Sequence, residues 1–308
     1  MLPWLAIGLM VAARIDAAPK ERGWNWRETT SPHFTVEHEM PWTPPGFVMS
    51  LERMHSRLRM DLGMFSPWMA KERIKLYLYK DSPSYLSGEF QPPSWSNGLA
   101  LYELKAVAVP DNPDRKVLLR VISHETTHLL FEGYWHEAGG KDPPSWLNEG
   151  LAMMEEDDSP NRPERSPWFQ NMVLAKPSSF LPMEQFFTLT PAKDLQNSTN
   201  VGDFYVQAYS MVYFLYRGHQ RLQFKNFCAQ LRDGKGLEQS LWLAYRYHGL
   251  SDLEKDWRRW LSRSELRNKV AAALADTPVQ TQSEGSKSTA PFSHSGFQPM
   301  KGFKSLRE

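Results

Sequence analysis

Five consecutive residues, His124-Glu125-Thr126-Thr127-His128, constrain this chain more than any other feature. On a helix, positions four apart lie on one face, so His124 and His128 can offer imidazole nitrogens to a single metal ion. Glu125 stands a step round the helix, where it reaches a water on that ion rather than the ion itself. The pattern is H-E-x-x-H, whose mechanical reading is a zinc hydrolase. Its surroundings are apolar: Val117-Leu118-Leu119-Arg120-Val121-Ile122-Ser123 precede it and Leu129-Leu130-Phe131 follow. That run predicts a helix buried on most sides, with Asn112 as N-cap, Pro113 at the first helical position and Gly133 at the stop. A buried helix could also keep a histidine for packing alone. Burying two imidazoles and a carboxylate without partners costs on the order of several kcal/mol, and a metal removes that cost.

Two histidines do not complete a catalytic zinc site, which usually has three protein ligands and one open position. His136 follows His128 by eight residues, a spacing that fails H-E-x-x-H-x-x-G-x-x-H, because Phe131 and Tyr134 stand where its glycine and third histidine belong. Glu149 is the better candidate. It sits in Ser145-Trp146-Leu147-Asn148-Glu149-Gly150-Leu151-Ala152, and Ser145 after Pro143-Pro144 reads as the N-cap of a second helix. The stretch from Tyr134 to Pro144 is long enough to turn the chain back and lay that helix against the first.

H-E-T-T-H followed by W-L-N-E-G-L-A resembles the gluzincin peptidases, in which a glutamate on a second helix is the third zinc ligand. The W-L-N-E-G segment is similar to that of the aminopeptidase N-like enzymes. No G-A-M-E-N-like exopeptidase motif precedes the pentad, and Ser96-Asn97-Gly98-Leu99-Ala100-Leu101-Tyr102 occupies that region. The closer resemblance is to the small peptidase-MA-like proteins of bacteria, over roughly Trp26 to Leu261. It includes Ser31-Pro32-His33-Phe34-Thr35-Val36, which looks like the first strand of that group. The resemblance implies one zinc per chain held by His124, His128 and Glu149, with Glu125 as general base and a peptide or protein as substrate. It also implies a second electrophile from the downstream helices. Tyr205 and Tyr209, four apart on a helix opened by Asp203, are the candidates, and a core stripe is the competing reading. Glu156, two turns beyond Glu149, is placed to hold a ligand histidine by its second nitrogen, although Glu155 to Asp158 also read as a solvated helix end.

The rest of the chain fits a secreted hydrolase. Thirty-six basic residues against thirty-five acidic ones leave a net charge of +1, which argues against a nucleic-acid surface. The lone Cys228 excludes an internal disulfide. Leu2 to Ala13 is apolar but too short to span a bilayer, and Ala17-Ala18 offer small residues for cleavage. Residues 1–18 therefore read as a signal peptide, which implies a periplasmic or secreted protein with no stable membrane insertion after cleavage; an uncleaved N-terminal anchor is the alternative.

The predicted fold class is α+β with thermolysin-like, gluzincin architecture. A small mixed N-terminal lobe (about 27–134) carries the active-site helix, and a mostly helical lobe (about 144–262) follows within a domain spanning 19–272. Strands are expected from Arg27, at Arg73 to Tyr79, near Gly98 to Tyr102 and at Ala106 to Val109, with a helix from Pro45 to Phe65. Alternation in Ile74-Lys75-Leu76-Tyr77-Leu78-Tyr79 predicts a half-buried strand. Later helices are expected at Trp168 to Ala175, Met183 to Phe187, Asp203 to Arg217, Arg221 to Leu231, Leu237 to Tyr247 and Asp252 to Leu261, the last with a capping box at Ser251 and Glu254. Residues 273–308 read as a disordered tail. Two rival functions remain: a zinc-binding or interaction module without turnover, and a zinc hydrolase of a non-peptide amide. Glu125 favours an enzyme, since a structural site needs no base.

Overall fold

The computed structural model describes residues 25–276 except 40–45, 95, 138, 140–141, 158–160, 191–193, 195–200 and 218–219. The signal-peptide expectation, and all of the expected tail beyond Asp276, lie outside the described residues. The architecture is α+β, a mixed sheet followed by helices.

Five strands form the sheet: β1 (Trp26–Thr30), β2 (Phe34–Glu39), β3 (Ile74–Tyr79), β4 (Leu99–Leu101) and β5 (Ala106–Pro110). Their order is β1-β2-β3-β5-β4. The outer pairs β1/β2 and β4/β5 are antiparallel, and the inner pairs β2/β3 and β3/β5 are parallel. A parallel step needs a crossover, and α1 (Gly46–Leu62) supplies the one from β2 to β3.

The half-buried expectation for β3 fails, because β3 is central and covered on both faces. Ile74, Leu76 and Leu78 enter the main core with α1, while Tyr77 and Tyr79 enter a second cluster with Tyr85 of α2 (Ser82–Leu86), Leu99 and Leu101. The alternation is real but separates aliphatic from aromatic faces rather than dry from wet ones.

The helix after β5, α3 (Arg115–His136), is longer than predicted at its C-terminal end and starts later. Asp114, not Asn112, is its N-cap: the Asp114 carboxylate accepts from the backbone N–H groups of Lys116 and Val117. Asn112 instead accepts from the Asp114 N–H through its side chain. Gly133 does not stop the helix. A Cβ there would lie 2.9 Å from the Tyr102 ring, so the glycine makes room for a neighbour. Every residue from Val121 to Trp135 is buried.

The remaining helices are α4 (Ser145–Glu155), α5 (Pro167–Leu174), α6 (Met183–Thr188), α7 (Val201–Arg217), α8 (Arg221–Arg232), α9 (Leu237–Tyr245), α10 (Leu250–Leu261) and α11 (Ser264–Ala275). The N-cap of α4 is Pro144, with Ser145 its first residue. The capping box expected at Ser251 and Glu254 is not formed, because α10 already begins at Leu250 after Gly249, and Glu254 bonds Arg258. A capping box occurs instead at Gln220 and Gln223 of α8. The helix α11 extends the helical part beyond the predicted lobe end.

One hydrophobic core runs from the sheet through α3 and α4 into the later helices, taking in Leu76, Leu129, Trp146, Phe204 and Trp257. The Arg217 guanidinium at the end of α7 grips both carboxylate oxygens of Asp61 on α1, so an ion pair also joins the two parts. Among the described residues, no helix is long and apolar enough to cross a membrane.

Candidate metal centre

The burial of α3 and the docking of α4 against it decide where three side chains meet. One nitrogen or oxygen from each of His124, His128 and Glu149 lies within 4.8 Å of the others, and all three residues are buried. His124 Nε2 stands 3.8 Å from Glu149 Oε2. Donors bound to one zinc at about 2.0–2.2 Å sit roughly 3.4 Å apart in a tetrahedron, so the observed separation needs little contraction.

The charge state of these groups fits a cation. Burial, with the neighbouring His124 behind it, lowers the His128 pKa to about 3, which keeps its imidazole neutral and able to coordinate. Burial pushes Glu149 well above the carboxylate range, and the charges of Glu125 and Glu132 add to the effect. Burial and Glu132 raise Glu125 to about 8, against a lowering bond from the Ala100 backbone. Glu149 Oε2 and Glu125 Oε1 are buried with no hydrogen-bond partner among the described residues. Several dry carboxylates beside two imidazoles form a donor set that a divalent cation satisfies in charge and in ligand number.

Glu156 fixes the orientation of His124. Its Oε1 accepts from His124 Nδ1 at 2.9 Å, and its Oε2 accepts from Arg120 at 2.8 Å and from the Trp168 indole at 3.0 Å. Burial alone would raise this carboxyl, but the bond and charge of His124, then Arg120, hold it below the usual range. An ionised Glu156 accepts the Nδ1–H hydrogen bond and leaves Nε2 facing Glu149.

His128 has a partner pair that the sequence reading passed over. Asn148 Nδ2 donates to Glu132 Oε1 at 2.8 Å, and that same oxygen lies 3.9 Å from His128 Nδ1. The signal was present: Glu132 is four residues beyond His128, and Asn148 adjoins Glu149.

Two glycines set the close approaches. A Cβ on Gly98, just before β4, would stand 2.7 Å from Glu125 Cγ and 3.0 Å from Val121 Cγ1, so this glycine lets the strand edge lie directly on the pentad helix. Gly150 does the same for α4 and α7, where a Cβ would meet the Ala208 carbonyl oxygen at 2.4 Å. That contact brings α7 against α4.

Of the two candidate tyrosines on α7, Tyr205 neighbours the centre and Tyr209 is turned elsewhere. Burial drives the Tyr205 hydroxyl far above its ordinary range, and the Glu149 carboxylate adds to the shift. Tyr209 is also raised by burial, but its company is Trp168, stacked at 6.3 Å, Tyr213 at 5.8 Å and the Ser166 hydroxyl.

A family model described as the peptidase MA superfamily matches residues 57–263, from within α1 to just past the end of α10. No curated protein matches the chain.

Proposed function

The chain belongs to the peptidase MA superfamily, and from that premise we propose that it is a zinc-dependent hydrolase of peptide bonds. The observation that carries this reading is the convergence of His124, His128 and Glu149 beside Glu125. In this reading His124, His128 and Glu149 hold one zinc ion per chain. A zinc ion there supplies a Lewis acid and acidifies water to a pKa near about 7.

The chain's own groups do the rest. Glu125 Oε1, buried and lacking a hydrogen-bond partner among the described residues, accepts the proton of the attacking water and returns it to the leaving amine. Burial, which raises the basicity of this carboxylate, suits it to that double task. Glu156 Oε1 holds His124 by Nδ1 so that Nε2 keeps its aim. Glu132 and Asn148 brace the neighbourhood of His128. The Tyr205 hydroxyl, kept protonated by burial, donates to the developing oxyanion. Tyr209, engaged with Trp168 and Ser166, packs the core in this scheme. The substrate is a peptide or protein met in the periplasm or outside the cell.

The test is metal analysis of the purified full chain together with a peptide-library digest. About one zinc per chain and cleavage lost in Glu125→Gln support the reading. Protein purified without chelator that is metal-free and cannot take up zinc sinks it.

A further inference from the structure

Beyond the metal centre, a second cavity opens between α1, the first turns of α3 and the start of α5, with a volume of about 790 Å³. Its walls carry five cations: Arg53 and Arg57 from α1, Lys116 and Arg120 from α3, and Arg165 just before α5. Three carboxylates also line it, those of Asp114, Glu156 and Asp157. Two of these are committed elsewhere. Asp114 caps α3, and Glu156 is shared by His124, Arg120 and Trp168. The Asp157 charge is felt by Tyr209 and Tyr213.

The cations are poorly matched. Among the described residues, Arg120 forms an ion pair with Glu156, but Arg53, Arg57, Lys116 and Arg165 form none within 4.0 Å. Arg53 bonds the Ser50 hydroxyl at 3.1 Å. Arg57 is the more telling case. Its Nη2 donates to Ser123 Oγ at 2.6 Å and to the Glu155 carbonyl at 2.7 Å. Its Nε and Nη1 are buried with no hydrogen-bond partner among the described residues. A guanidinium held by one end, with no ion pair within 4.0 Å among the described residues, keeps an unneutralised positive charge at the cavity wall, which favours an anion there.

The cavity also has an apolar side, formed by Met54, Val117, Pro167 and Trp168. Its size falls in the range of small-molecule sites. We propose that this cavity is a binding site for a small organic anion, one carrying carboxylate or phosphate groups on an apolar or aromatic frame. The cations would take the anionic groups, with the arginines as two-pronged partners, and Trp168 and Val117 would take the frame. Glu156 stands between this cavity and His124, so the site adjoins the metal centre without including its ligands. The proposal does not depend on the chain's being a peptidase.

The test is calorimetric titration of the full chain at low salt with phenylphosphate, isophthalate and, as a neutral control, benzyl alcohol. The exposed residues Arg53 and Lys116 are reversed in Arg53→Glu and Lys116→Glu, and Lys255→Glu on α10 serves as a control for charge alone. At least one of the two anions should bind with a dissociation constant of about a millimolar or tighter, and each reversal in the cavity should weaken it about tenfold. Tighter phenylphosphate assigns the phosphate class, and tighter isophthalate the carboxylate class. The proposal is overturned if neither anion binds, if benzyl alcohol binds as well as the anions, or if Lys255→Glu weakens binding as much as the cavity reversals do.

Discussion

Gly150 lies so close to the backbone of Ala208 that a Cβ on it would stand 2.4 Å from the carbonyl oxygen and 2.5 Å from Val212 Cγ2. The residue after the third proposed ligand is thus the point where α4 and α7 touch. Gly150→Ala forces backbone against backbone, which no side-chain rotation relieves. The expected cost is about 1–3 kcal/mol, or roughly 2–4 °C of melting temperature per kcal/mol. Because Glu149 is displaced with the helix, zinc content should fall as well. Thermal melts and metal analysis of the same preparation check both, and an unchanged melting temperature refutes the contact.

On the proposed roles, ligand and base are separable. His124→Ala, His128→Ala and Glu149→Ala should each lose zinc, whereas Glu125→Gln should keep it and lose about two to four decades of hydrolytic rate. Removing metal with a chelator should abolish cleavage by the wild type, and added zinc should restore it. Equal metal loss in Glu125→Gln and Glu149→Ala would show that the roles are misassigned.

Glu156→Gln keeps the size of the side chain but removes the charge that accepts the Nδ1–H hydrogen bond of His124. Zinc affinity should weaken about 10- to 100-fold without loss of fold. Competition against a chromogenic chelator measures it. An affinity within twofold of wild type would leave Glu156 as a partner of Arg120 and Trp168 only.

Tyr205→Phe retains the ring and its contact with Phe204 while deleting the hydroxyl near Glu149. Turnover should drop about a hundredfold or more, with zinc content and melting temperature preserved. Tyr209→Phe should leave turnover nearly unchanged and lower stability through the lost Ser166 bond. Full activity in Tyr205→Phe removes that hydroxyl from the mechanism.

Burial, followed by the Asp61 charge, pushes Glu155 up to about 7 from 4.5. The folded chain holds a proton that the unfolded chain releases, so this residue's contribution to stability is complete below about pH 4.5 and is lost as pH rises through about 7. Urea midpoints of wild type and Glu155→Gln, compared across that interval, should diverge in the variant's favour as pH increases. Parallel curves would show that Glu155 titrates normally.

The sequence revealed the elements whose signal is local and hid those that depend on neighbours. The pentad, the W-L-N-E-G segment and the sheet-then-helices order are spacing and composition, and the structure brings His124, His128 and Glu149 together as the spacing implies. Helix limits were less legible. Asn112 and Asp114 are both good caps, and only the turn before α3 decides between them. Gly133 and Gly150 look like punctuation on paper, yet each answers to a partner distant in sequence, Tyr102 and Ala208. The burial of both faces of β3 could not be read from alternation, because tyrosine serves as an aromatic core residue there. Glu132 and Asn148 are marked only by their spacing from His128 and Glu149, which does not by itself distinguish a hydrogen-bonded pair from two solvated side chains.

The three donors gathered by Glu156 come from residues 120, 124 and 168, on two helices that the chain synthesises well apart. The carboxylate that orients His124 is therefore itself fully engaged only when α5 has packed against the end of α4. A nascent or partly unfolded chain has the pentad but lacks the settled imidazole, and on the proposed metal role it should hold the ion weakly. On the proposed metal role, capture of the ion would be coupled to completion of the helical half, and a chain that fails to finish folding would lose both together.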